Sequence, residues 1–180
     1  MRNQILLTLS ISLLAVQAFG YKEKDLARLR STSRCVECDL IKADLGGFLL
    51  IGASLKSANL TDANLSEANH FGANLTGTNL TEANLSQADL SEGNLSEANF
   101  SIANLSRTNL RETNLQKADL RGGDLRSAAL YEAVLVAAYL NEANLEGADM
   151  RKANLYRASM RGAFLCNIID SEGGKNNKDC

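Results

Sequence analysis

One position in five along most of the chain is apolar, usually Leu, and the interval never slips. From Cys38 to Asn167, 130 residues fall into 26 units of five whose central residue, at 40, 45, 50 and onward to 165, is Leu in 22. His70, Phe100, Met150 and Met160 are the exceptions. Two residues before each central position Ala stands in 19 units, and the position between is Asn or Asp in 19, so the unit reads Ala-(Asn/Asp)-Leu-x-x. Neither regular element buries this pattern. Five residues of α-helix advance about 500°, which scatters the Leu side chains around the axis, and five residues of strand place successive Leu on opposite faces. Every Leu is inside only if the chain turns about a quarter circle per unit, so that four units close a coil and coils stack. The pattern therefore predicts an all-β solenoid of square section, and at ~4.8 Å per coil its six and a half coils make a rod of roughly 30 Å.

The small column points inward as well, where four walls leave little room, and Thr78, Gly93, Thr108, Thr113 and Gly123 respect that limit. Phe48 does not, and beside Gly46 and Gly47 it predicts a local bulge in the first coil. His70, in a central position, is expected to be a core substitution tied by one hydrogen bond to backbone or to a neighbour such as Asn69. A rod of this kind exposes apolar core and unpaired backbone at its ends and needs caps. Residues 21–37 carry charges with Leu26 and Leu29 on one side, which predicts a short N-terminal capping helix between Lys22 and Arg34; residues 168–180 form the tail over the other end. Residues 1–20 read as a secretory signal peptide: Arg2 precedes an apolar run from Ile5 to Ala15 that is followed by small residues, with cleavage after Ala18 or Gly20. The run is shorter than the roughly 20 apolar residues that span a bilayer.

Tandem units of this form, such as Ala58-Asn59-Leu60 and Ala83-Asn84-Leu85, resemble the pentapeptide repeat family over about 130 residues. The resemblance implies a right-handed quadrilateral β-helix, and for function a non-catalytic scaffold or protein-interaction surface. Some members of that family resemble DNA in shape and charge and bind or protect DNA gyrase, which is the alternative reading; the signal peptide, the small net charge and the interspersed Arg residues oppose it here. Exported members also carry a Cys-x-x-Cys before the first unit and a C-terminal Cys pair, which matches Cys35, Cys38, Cys166 and Cys180. The rod keeps the two pairs some 30 Å apart, whereas bridged Cα atoms lie within about 7 Å. Within one chain this leaves Cys35–Cys38 and Cys166–Cys180, and bridges between copies stay open. The signal peptide places the chain in the periplasm, a thylakoid-type lumen or the extracellular space, and in an exported protein an even cysteine count predicts disulfides.

Composition narrows the function further. With 45% hydrophobic residues, no Pro and a net charge of -2, the chain can bury a core but has no basic field, so nucleic-acid binding by bulk charge is excluded. The Cys-x-x-Cys admits a redox reading as a second alternative, although active pairs sit at a helix N-terminus and Asp39-Leu40 here begins the solenoid. Zinc would need further ligands, and His70 lies more than a coil away. No nucleophile–base constellation or phosphate loop stands out, so no enzyme, metal or cofactor is expected. Residues 61–105 contain six acidic side chains and no Lys or Arg, while 106–165 contain nine basic and seven acidic. Between Ala128 and Leu140 the usual polar residues give way to Val134, Val136, Ala137 and Tyr139. Tyr131, Val136, Tyr139 and Tyr156, with Arg111 and Arg151, are therefore the candidate surface for an unknown protein partner. No nucleic acid, and no stable membrane insertion after signal cleavage, is expected, and the choice between monomer and homodimer stays open.

Overall fold

The computed structural model describes residues 20–177, 179 and 180; the expected signal segment lies outside them apart from Gly20. Helix α1 (Glu23–Thr32) is followed by stacked coils, then by a two-residue antiparallel pair of β1 (Ile168–Ile169) and β2 (Lys175–Asn176). Parallel bridges link residues twenty apart, from Arg34 with Ser54 through to Asp149 with Ile169, so four units make each coil. The bonds repeat with the unit. Leu40 N–H donates to the Asn59 carbonyl at 2.8 Å, Lys42 N–H to Thr61 at 2.9 Å, and Asn59 N–H returns to Cys38 at 2.8 Å.

Each corner is a tight turn. The Ala N–H donates back to the carbonyl of the preceding central residue, as Ala43 to Leu40 at 3.0 Å, and the residue before the Ala has positive φ. A turn with positive φ at its third position favours Gly or Asn, yet most corners carry other side chains, at φ from 55 to 61°. Ile102, at 59° and 66% exposed, is the least suited, because its branched Cβ crowds the backbone in that region. Ile102→Asn is expected to stabilise the rod by about 1 kcal/mol. A rise in the thermal midpoint checks this; a fall would show that the Ile side chain contributes more than its backbone costs.

The central stack is closed to solvent from Leu40 through Leu145, and Ala fills the small column beside it. Burial of each Leu side chain contributes roughly 1.5–3 kcal/mol. The three Thr residues in the small column hide their hydroxyls by local bonding: Thr78, Thr108 and Thr113 donate to the carbonyls of Leu55, Leu85 and Leu90 at 3.0, 2.8 and 3.3 Å. Two expectations fail here. His70 is fully buried between its Leu neighbours, but neither ring nitrogen has a hydrogen-bond partner, because the side chains that flank a central position are apolar. Burial lowers its pKa to about 4, so the ring is neutral at pH 7. Phe48 causes no bulge: Asn69 N–H still reaches the Phe48 carbonyl at 2.9 Å and Leu50 N–H reaches Asn69 at 2.7 Å. No further coil lies on its N-terminal side, and the half-exposed ring lies beneath the Arg30 guanidinium, 5.2 Å away.

At the first coil, α1 turns Leu26 and Leu29 into the core, and Lys22 N–H and the Asp25 carboxylate bond the Asp39 carbonyl and N–H at 3.1 and 3.0 Å. That completes one side of the coil. At the sides containing Asp44 and Leu49, neither N–H has a partner among the described residues. At the other end the N–H groups of Leu155, Arg157, Met160 and Gly162 have none either, and Leu155 and Met160 are half-buried. Cys35–Cys38 and Cys166–Cys180 are both disulfides, and Asp179 accepts from Leu165 N–H at 2.9 Å beside the second.

Candidate functional site

The flat sides are built to satisfy themselves. In the middle coils the Asn before each Leu accepts from the N–H two residues on, as Asn64 from Ser66 at 3.2 Å, and the Ser or Thr hydroxyl often joins it, as Thr81 to Asn79 at 2.7 Å. The amide nitrogens then reach back to the preceding coil, Asn84 to Asn64 at 3.4 Å and Asn104 to Asn84 at 3.2 Å. Such a ladder leaves few polar groups free for a ligand.

One coil breaks it. Ala129, Val134 and Tyr139 occupy the Asn position on three successive sides, while the backbone bridges to Asn109, Asn114 and Asp119 continue unchanged. The six candidate residues fall into two groups around this coil. Arg111, Tyr131 and Arg151 succeed one another along one corner, where Arg151 and Lys152 stand 5.7 and 5.0 Å from the Tyr131 ring centre. Val136 and Tyr156 form the next corner, and Tyr139 lies on the side beyond it. Tyr156 is 62% exposed, with Arg157 against its ring at 5.1 Å, and Tyr139 is 50% exposed. Tyr139 also borders a surface groove of about 680 Å³ with Ile102, Gly122 and Glu142. The candidates thus wrap two corners of the rod instead of sharing one plane.

Much of the basic charge is spent internally. Wherever Asp precedes the central residue and Arg follows it, the guanidinium grips the carboxylate with two bonds: Arg121 to Asp119 at 2.8 and 2.6 Å, Arg126 to Asp124 at 2.9 and 2.7 Å, Arg151 to Asp149 at 2.9 and 2.7 Å. These contacts hold all three Asp carboxyls below their ordinary range. Lys117 pairs with Glu97 and Lys152 with Glu132 on the neighbouring coil. Sequence reasoning missed a second apolar region, Leu49 at 76% exposed, Ile51 at 59% and Phe71 at 38%. Its signal was present, since all three fall in outward register positions. Among the described residues no cluster of three or more His, Cys, Asp or Glu could hold a metal ion, and no helix is long and apolar enough to cross a membrane.

A four-sided stack of five-residue units with an outward Asn ladder defines a class of solenoid, and the family profile for pentapeptide repeats matches residues 33–69, 71–101, 94–130 and 128–167. The chain belongs to the pentapeptide repeat family. Among solved structures it is similar to HetL of the cyanobacterium Nostoc sp. strain PCC 7120, a pentapeptide repeat protein involved in heterocyst differentiation regulation, at 30% identity over 79% of this chain and 78% of that one, with a TM-score of 0.39. It is similar as well to a pentapeptide repeat protein of the Arabidopsis thaliana thylakoid lumen, at 25% identity over 73% and 72% of the two chains, with a TM-score of 0.50. The plasmid-mediated fluoroquinolone resistance protein QnrB1 shares 14% identity over 75% and 78%, with a TM-score of 0.36. Comparison with curated proteins returned no match.

Proposed function

We propose that this protein is an exported, non-catalytic solenoid, wound right-handed and capped by α1, that offers its rod around Val136, Tyr139 and Tyr156 to a protein partner in an oxidising compartment. The observation that carries the reading is the break in the Asn ladder of the middle coils, where Ala129, Val134 and the exposed Tyr139 stand in place of Asn, with the exposed Tyr156 on the adjoining corner. Aromatic residues beside Arg are the usual anchors of protein interfaces. Two disulfides and no free cysteine among the described residues suit a periplasm or lumen, and one structural relative comes from the thylakoid lumen.

The test is crosslinking capture from an extracytoplasmic fraction, comparing the native protein with Tyr139→Ser/Tyr156→Ser. One partner enriched by the native form and lost by the variant is expected, and the recovered chain should begin after Ala18 or Gly20. Equal capture by both forms overturns the surface, and an intact N-terminus overturns the export. The paired Arg residues do not leave a phosphate-like row, so no protection of gyrase is expected in a supercoiling assay.

A further inference from the structure

The two disulfides differ in what surrounds their sulfurs. Cys35 sits in the inward central register and Cys38 in the small inward column, and both are closed to solvent, at 0% and 1% exposed. Helix α1 reaches both. Residues one helical turn apart supply the contacts: the Arg28 guanidinium donates to Cys38 Sγ at 2.6 Å, and the Asp25 carbonyl oxygen stands 3.1 Å from Cys35 Sγ. Arg28 is braced by the Val36 carbonyl at 3.2 Å and by the Asp25 carboxylate at 3.7 Å.

These partners suit the reduced pair better than the oxidised one. A sulfur in a disulfide has no proton to give, so the Asp25 carbonyl gains nothing from Cys35 until an S–H is present. A sulfur beside a guanidinium is favoured most as a thiolate, the form in which a neighbouring cation lowers a cysteine pKa. Stabilising the reduced form makes a disulfide more oxidising. Among the described residues no cation stands against Cys166–Cys180: Asn167 donates a neutral amide hydrogen to Cys166 Sγ at 3.2 Å, and Cys180 is exposed.

We propose that Cys35–Cys38 is a reducible disulfide, exchanged with a dithiol, whose Cys38 sulfur leaves as a thiolate onto Arg28, and that its redox state sets how firmly α1 holds the first coil. One thiolate of the dithiol attacks Cys35 Sγ, a new S–S bond forms, the Cys35–Cys38 bond breaks, and its electron pair departs on Cys38. The second thiolate then attacks the sulfur of the dithiol in this mixed disulfide, and Cys35 leaves and takes up a proton. The dithiol ends as its own disulfide, having given two electrons to the protein; of its two protons one resides on Cys35 and one goes to solvent. Because the sulfurs are buried beneath α1, attack follows opening of the helix. The contacts that favour the reduced pair must, reciprocally, tighten the closed helix once reduction is complete.

The experiment equilibrates the full chain with dithiothreitol redox buffers, quenches by alkylation, and reads each cysteine pair separately by peptide mass spectrometry. Arg28→Met is expected to shift Cys35–Cys38 toward the disulfide about tenfold, roughly 30 mV for this two-electron couple, with Cys166–Cys180 unmoved. No shift, or a common shift of both pairs, overturns the proposal. If Arg28→Met does not fold, Cys35→Ser serves instead: thiolate ultraviolet absorbance should then place the Cys38 pKa well below the ordinary value of about 8.5, and a value at or above it overturns the assignment.

Discussion

Leu90→Asp should unfold the middle of the rod. Leu90 is fully buried in the central stack, its N–H bonded to the Asn109 carbonyl at 2.9 Å and its own carbonyl accepting from the Thr113 hydroxyl at 3.3 Å. The substitution removes the Leu burial and places a carboxyl in the closed central stack, where the neutral His70 ring one coil away is the polar side chain next to it, and the two losses together cost on the order of 5 kcal/mol. In a stacked repeat each coil contacts only its neighbours, so the damage spreads from a central coil to both flanks. Circular dichroism and proteolysis check it: loss of the β signal, with cleavage clustered near the substituted coil, is the expected result. A variant as resistant as the native chain would show that the central register is wrong.

His70→Leu should act in the opposite direction, and its effect should depend on pH. In the unfolded chain the imidazole titrates near 6.5, whereas in the rod burial holds its pKa at about 4. The folded state therefore binds fewer protons between these values, and stability falls as pH drops through that window, by about 3 kcal/mol when the drop is complete. Above pH 7 this loss is absent, and the remaining cost is that of two buried ring nitrogens without partners. Leu at this position removes both penalties. The variant should melt higher than the native chain at pH 7, and the gap should widen markedly by pH 4.5. Parallel melting curves at the two pH values, with an unchanged gap, would mean that His70 finds a proton acceptor or solvent in the folded state.

The contrast between these two sites shows what the repeat makes legible. Leu90, Ala88 and Asp89 follow from the five-residue interval alone, because a single register decides which side chains face inward, and the fold follows from that register. His70 shares the register, so its burial was readable, but the lack of a partner depends on side chains from other coils that happen to offer no polar atom. Phe48 misled for a related reason: the size limit on the small column holds within the stack and relaxes at its first coil. At the surface, the Asp–Arg grips at 119 and 121, 124 and 126, and 149 and 151 recur at fixed unit positions and could have been foreseen from spacing. The approach of Arg28 to Cys38 could not, because the way α1 settles on the coil lies outside the repeat.

The twenty-residue register also governs how such a protein can change length. Removing four successive units, 73–92 for example, would draw the two ends together by ~4.8 Å and leave every later side chain above its former column, with Tyr139 still on the same side relative to α1. Removing a single unit would instead swing everything downstream by a quarter turn and carry Tyr139 and Tyr156 to a different side of the rod. Whole-coil insertions and deletions therefore adjust reach at constant orientation, and single-unit ones adjust orientation at nearly constant reach, so that spacing and direction of a docking surface can vary independently without a change in the core.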